Sequence, residues 1–99
     1  FVFDNLLDVD DRGVQRLLRE VSSEILIIAL KGADERVRNK ILKNMSKRAG
    51  EMLEEDLETR GPVRLSEVEQ AQREILVVAS RLADEGEIML GSRGGEQFV

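Results

Sequence analysis

Apolar residues recur every three or four positions along most of the chain, which is the spacing of one face of an α-helix. The segments with this pattern are residues 11–20, 35–44, 47–60 and, longest of all, 66 to about 85. The residues that can cap their N-termini are Asp10, Asp34, Ser46 and Ser66, the last forming a Ser-x-x-Glu capping box with Glu69. The pattern therefore predicts four amphipathic helices.

Residues 24–31 differ, because they are apolar almost throughout. A run this short is also compatible with a buried strand. We interpret it as a buried central helix, since Ser22 or Ser23 can cap its start, Lys31 lies in its last turn and Gly32 follows it.

The elements together predict an all-α fold, a compact orthogonal array of about five or six short helices with a long C-terminal helix. Residues 1–7 are apolar but too short to be stable alone, so we expect a detachable helical segment that docks on its own domain or on a neighbouring copy. We assign residues 8–90 to the helical domain, with residues 88–90 covering its core. The glycine-rich residues 91–99 are predicted to be a flexible tail.

The helix at residues 47–60 is predicted to end at a glycine cap, Gly61, just before Pro62. At about 100° per residue, its buried flank comprises Met45, Ala49, Met52, Leu53 and Leu57. Its opposite side comprises Arg48, Glu51, Glu55 and Glu58.

The charges of this helix oppose its dipole. Lys47 and Arg48 occupy the first turn and acidic residues crowd the second half, and each such placement costs roughly a few tenths of a kcal/mol. Only Asp56 and Arg60 have the stabilising acid-before-base order at a spacing of four. Two interpretations stay open: a solvated face, and a surface shaped for a charged partner.

The adjacent acids Glu55 and Asp56 are predicted to differ. Measured around the helix axis from Arg48, Glu55 lies at about −20°, in the exposed stripe. Asp56 lies at about 80°, at the border of the apolar flank. We therefore expect Glu55 to face outward, and Asp56 to lean toward the protein and be held by Arg60 or Arg64.

Composition argues against catalysis, because the chain has no His, Cys, Tyr or Trp to supply most catalytic roles. The acids of residues 54–58 point in different directions around a helix and match no calcium loop, so we expect no metal site and no cofactor. The net charge of −5 is uneven: residues 1–50 carry ten basic and eight acidic side chains, and residues 51–99 carry five and twelve. This acidity argues against nucleic-acid binding and favours a cationic partner surface near the second half.

Several longer motifs resemble one family, the C-terminal domain of FliG, a rotor protein of the bacterial flagellar switch complex. Phe1-Val2-Phe3 resembles the family's Met-Phe-x-Phe hinge without its Met. The other motifs, in the same order, are ALKGA at 29–33, KNMSKRA at 43–49, RGPVRLSEVE at 60–69 and RLADEGEIML at 81–90.

The resemblance implies that the helix at 47–60 is a torque helix facing the cytoplasmic loop of the stator protein MotA. The family's charged positions correspond to Lys31, Arg48, Asp56 and Arg64, with Glu55 where an acid is also expected. We call these five residues the charged ridge. The resemblance further implies partners in FliM, other switch-complex subunits and neighbouring FliG copies. It implies a location at the flagellar basal body, on the cytoplasmic face of the inner membrane, with membrane association only through that structure.

Two function classes follow. The first is a non-enzymatic rotor module whose charged ridge engages the stator to generate torque and takes part in switching the direction of rotation. The second is a helical interaction module that binds a partner helix in an apolar groove. Salt separates them, since a charge-driven encounter weakens as ionic strength rises.

Overall fold

The computed structural model describes residues 3–88, which form helices without a strand. A 3₁₀ helix, Phe3–Asp8, is followed by five α-helices. These are α1 (Asp11–Leu18), α2 (Ser23–Lys31), α3 (Glu35–Lys43), α4 (Lys47–Thr59) and α5 (Leu65–Asp84). The all-α prediction is confirmed.

Side-chain caps set the starts of the first four α-helices, as the sequence predicts. The caps are Asp10 accepting from the Gly13 N–H at 2.9 Å, Ser22 from Ile25 at 3.2 Å, Asp34 from Arg36 at 2.7 Å and Ser46 from Ala49 at 3.1 Å. Each bond satisfies a backbone donor that the helix leaves free at its first turn.

The predicted capping box of α5, Ser66 with Glu69, is wrong. The helix begins at Leu65, and Glu67 accepts a 3.0 Å hydrogen bond from the backbone N–H of Arg64. This frame puts half-buried Val63 just before the cap and buried Val68 at the fourth helical position, which are the two positions that a hydrophobic staple uses.

The predicted glycine cap of α4 is also wrong. Arg60 ends the helix with extended backbone (φ −70, ψ 129), and Gly86 is the glycine with positive φ among residues 3–88. Extended backbone is what the chain needs as it approaches Pro62, which disfavours helical geometry just before it.

Helix α2 lies at the centre, as interpreted from its apolar run. Leu26, Ile27, Ala29 and Leu30 are all buried in it, and its most extensive packing is against α5. Helix α4 packs against α2 and α3, so one side of α4 closes the core and the other faces solvent.

The 3₁₀ helix packs on α3 and α5 of its own domain, with Phe3 and Leu6 in the core. Lys40 adds a 2.9 Å hydrogen bond from its ammonium to the carbonyl of Leu7. At the other end, Ile88 is buried and covers the core as predicted. Phe1, Val2 and residues 89–99, which include the predicted tail, lie outside the described residues.

Candidate functional site

The candidate site is the solvent side of α4, and its orientation follows from how α4 packs. The buried residues of this helix are Gly50 and Leu53, with Ala49 and Leu57 half-buried. At about 100° per residue these four positions form one stripe, about 100° wide. A Cβ at Gly50 would lie 3.7 Å from the carbonyl oxygen of Leu42, so the glycine lies close to the end of α3.

The centre of this stripe is rotated from that of the predicted one by about 50°, although Ala49, Leu53 and Leu57 belong to both. Met52, predicted to be buried, is therefore 57% exposed, whereas Leu53 is 5% exposed as predicted. The physical reason is Gly50, which has no side chain to count as apolar but is buried next to Leu42 near the end of α3. Its position in the sequence was the signal that periodicity alone missed.

The same rotation moves Asp56 into solvent. It is exposed like Glu55, and its carboxylate makes no ion pair or hydrogen bond with any residue from 3 to 88. The predicted contact of Asp56 with Arg60 or Arg64 is therefore wrong. Arg60 instead reaches α2, where one guanidinium nitrogen lies 2.7 Å from each carboxylate oxygen of Glu24.

No charged side chain of α4 has an ion pair or a side-chain hydrogen bond within the described part of the chain. These residues are Lys47, Arg48, Glu51, Glu54, Glu55, Asp56 and Glu58, and all of them are exposed. Arg48 and Glu55 are seven residues apart, so they lie on the same side of the helix about 10 Å apart along its axis.

Each of the other four α-helices has at least one ion pair within residues 3–88. Glu20, at the end of α1, accepts from Arg16 at 2.8 Å and from Arg81 of α5 at 2.9 Å, and Arg16 also bonds Glu87 at 3.0 Å. Hydrogen bonds from Arg16 and then Arg81 hold the pKa of the Glu20 carboxyl below its usual value. Among residues 3–88, α4 is therefore the α-helix in which every charged side chain is unpaired.

Two further carboxylates are tied locally. The hydrogen bond from Asn44 lowers the pKa of Asp11, with Lys43 contributing. Arg36 lowers the pKa of Asp34 through its side chain and its backbone N–H. Both pairs lie on α1 and α3, away from the exposed side of α4.

Arg64 extends the candidate site beyond α4. It is exposed, caps α5 through its backbone, and makes no side-chain ion pair within residues 3–88. Arg64 lies four positions after Arg60, so the two Cα atoms can be no more than about 14 Å apart. Beyond Arg60, which is paired with Glu24, Arg64 adds one more unpaired charge to those of α4.

Lys31 differs from the other members of the charged ridge in its burial and in its hydrogen bonds. It is half-buried at the end of α2, and its ammonium donates to the carbonyl of Leu57 at 3.2 Å and of Arg60 at 3.1 Å. It thus contacts the last turn of α4. Sequence reasoning placed Lys31 in the ridge by resemblance and did not foresee these bonds.

The described residues show no grouping of three or more acidic side chains that could hold a metal ion. Nor is any helix within residues 3–88 long and apolar enough to cross a membrane. A shallow cleft between α2 and the end of α4 is lined by Glu24, Ile27, Asp56, Thr59 and Arg60. It contains the Glu24–Arg60 ion pair.

Comparison with known proteins places this fold. Flagellar motor switch protein FliG of Pseudomonas aeruginosa is 65% identical over 99 residues, covering 100% of this chain and 29% of that protein. FliG of Thermotoga maritima is 48% identical over 99 residues, covering 100% of this chain and 30% of that protein. The chain thus spans less than a third of the length of these relatives.

Solved structures agree. A crystal structure of FliG from H. pylori matches with a TM-score of 0.88 at 30% identity, covering 90% of this chain and 39% of that one. Full-length FliG from Aquifex aeolicus matches with a TM-score of 0.85 at 42% identity, covering 87% of this chain and 27% of that one. The family model of the FliG C-terminal domain matches residues 1–90. The chain therefore belongs to the FliG C-terminal domain family, as its motifs indicated.

Proposed function

We propose that this chain is the part of a flagellar rotor that meets the stator, and that it does so through the exposed members of the charged ridge, Arg48, Glu55, Asp56 and Arg64. The relatives are named flagellar motor switch proteins. The observation that carries the proposal is that every charge of α4 is exposed and unpaired within residues 3–88, whereas each of the other four α-helices has at least one ion pair.

Unpaired charge suits a surface that binds and releases repeatedly. A partner need not break an internal ion pair before it can interact, and exposed charges act over about 8 to 10 Å at physiological salt. Such charges accelerate encounter more than they strengthen the complex. A rotor passing successive stators needs fast encounter and fast release.

The order of basic and acidic residues along α4 indicates which charges the partner surface carries. Lys47 and Arg48 lie at the start of α4, and acids occupy its second half up to Glu58. The complementary surface has an acidic group opposite the start of α4 and basic groups opposite its end. The cytoplasmic loop of the stator protein MotA is the partner we propose for this role.

The chain contributes no catalysis in this proposal. Ion flow through the stator supplies the work, and the charged ridge transmits it as torque and takes part in switching the direction of rotation. FliM, other switch subunits and neighbouring FliG copies hold the chain in the rotor, at the basal body on the cytoplasmic face of the inner membrane. Contact with the membrane is only through that assembly.

Charge reversal at Glu55 tests the proposal. Glu55→Lys in the full-length protein should strongly reduce swimming, and a basic-to-acidic reversal on the stator loop should restore part of it. Asp84→Lys is the matched control, because it makes the same charge change at the last residue of α5. That residue lies about 28 Å along the helix from its start at Leu65. Equal loss of swimming in both variants, with no rescue of either, would contradict a direct charge contact.

The alternative, an apolar groove for a partner helix, is favoured by one observation. Val77 is 68% exposed on α5, and it lines a shallow cleft beside Leu76. If this face carried the rotor–stator contact, Val77→Ser would reduce swimming more than Glu55→Lys. Binding would also persist at high salt, since apolar contacts are little screened.

A further inference from the structure

The C-terminal end of α4 lacks a cap of its own. Its last turn contains no basic residue, its second half is acidic, and Arg60 continues as extended chain instead of forming a left-handed glycine cap. The last carbonyls of a helix have no partner within the helix and carry the negative end of its dipole. A donor or a cation from outside would satisfy both needs.

Lys31 of α2 supplies that cation. Its ammonium lies 3.2 Å from the carbonyl oxygen of Leu57 and 3.1 Å from that of Arg60. Hydrogen bonds from a charged donor are stronger than those between neutral groups. The positive charge of Lys31 also offsets the negative end of the helix dipole at the C-terminus of α4, where the acidic side chains add further negative charge.

A second residue of α2 acts on the same point. Glu24 and Lys31 are seven residues apart, so both lie on one side of α2. Glu24 binds the guanidinium of Arg60 at 2.7 Å, while Lys31 binds its carbonyl. Arg60 is therefore held to α2 at its side chain and at its backbone.

These contacts matter because α4 has little apolar anchorage. Leu53 is its one large buried side chain, Leu57 is half-buried against the core, and Met52 lies in solvent. A helix anchored by so few apolar side chains can shift at its C-terminal end unless further contacts hold that end in place. The acidic half of α4, which carries Glu55 and Asp56, lies next to the end that Lys31 fixes.

We propose that Lys31 is a positioning residue: it fixes the C-terminal end of α4 against α2, and so sets where Glu55 and Asp56 point, instead of presenting its own charge to the partner. The consequence for motility rests on the proposed function above. The capping itself does not.

Amide hydrogen exchange on the chain tests the capping. Lys31→Met keeps the length of the apolar stem and removes the donor, so exchange at residues 57–60 should become about tenfold faster, as expected for loss of a charge-assisted bond. Exchange at residues 51–53, near the middle of α4, should change less than about twofold. Lys31→Arg, which keeps charge and donors, should restore most of the protection.

Lys47→Met is the matched control, because it removes an exposed lysine at the other end of the same helix. It should leave exchange at residues 57–60 unchanged. The capping role is excluded if Lys31→Met leaves exchange at residues 57–60 unchanged, or if Lys47→Met accelerates it equally.

Cell motility then separates positioning from contact. Lys31→Glu should impair swimming and should not be rescued by any acidic-to-basic reversal on the stator loop, whereas Arg48→Glu should be rescued by one. Rescue of Lys31→Glu would overturn the positioning role. If neither variant were rescued while the exchange result held, the proposed stator contact would fail and the capping by Lys31 would stand.

Discussion

At the scale of single residues, Met52 and Leu53 show how narrow the buried side of α4 is. They are adjacent and similar in size, yet Met52 is 57% exposed and Leu53 is 5% exposed. One step of about 100° carries the side chain from solvent into the core. The energetic value of the two side chains should differ accordingly.

Leu53→Ala should lower the free energy of unfolding by about 2 to 5 kcal/mol, because it leaves a cavity at the one large buried side chain of α4. Met52→Ala is the control and should change it by less than about 0.5 kcal/mol. Urea denaturation of both variants would measure the difference. Similar losses would mean that α4 packs with a different side inward.

At the scale of elements, the end of α2 lies very close to the start of α5. A Cβ at Gly32 would lie 2.7 Å from Cγ1 of Val68, which is buried. A glycine is needed there to permit the approach, not for its backbone conformation, since its φ is −113. This contact belongs to the most extensive helix pairing among residues 3–88, that of α2 with α5.

Gly32→Ala should therefore destabilise the domain by about 1 to 3 kcal/mol through overpacking. Gly61→Ala is the matched control, because no atom lies within 4 Å of the added Cβ and φ is not positive. Thermal unfolding should show a lower midpoint for the first variant and little change for the second. If Gly32→Ala left the midpoint of thermal unfolding unchanged, α2 and α5 would be able to move apart without loss of stability.

At the scale of the whole molecule, α4 differs from the other α-helices in that none of its charges is paired within residues 3–88. Ion pairs of Glu20 with Arg16 and Arg81 join α1 to α5. The charges of α4 have no such pairs within residues 3–88. The first group contributes to stability and the second is available to a partner, so acid should affect them differently.

The Glu20 pKa is lowered in the folded chain by its hydrogen bonds from Arg16 and Arg81. The folded state therefore binds fewer protons at this site, and the stabilisation is complete above the unfolded pKa of about 4.3 and lost as pH falls through the lower folded value. Glu20→Gln should be less stable than the natural chain at pH 7, and the gap should close below about pH 4. Denaturation midpoints at pH 7 and pH 3 would test this, and a constant gap would contradict it.

The helices, and the starts of the first four α-helices, could be predicted from the sequence because the interactions that set them are local. Asp10, Ser22, Asp34 and Ser46 each bond a backbone N–H two or three residues ahead. The amphipathic pattern of residues 66–85 is likewise local, and the structure buries residues of its apolar stripe, among them Ile75 and Leu82. These features need only the neighbouring residues, and the family motifs are equally contained in the sequence.

The tertiary structure decided which side of α4 faces the core and which residues hold its C-terminal end. Periodicity gives the relative angles of side chains on a helix, but the side that meets the core depends on where the neighbouring helix comes close, which here is at Gly50. The partners of Arg60 and of its carbonyl, Glu24 and Lys31, lie 36 and 29 residues away in sequence. Contacts over such separations follow from the packing of α2 against α4, so the orientation of the charged ridge emerged only with the fold.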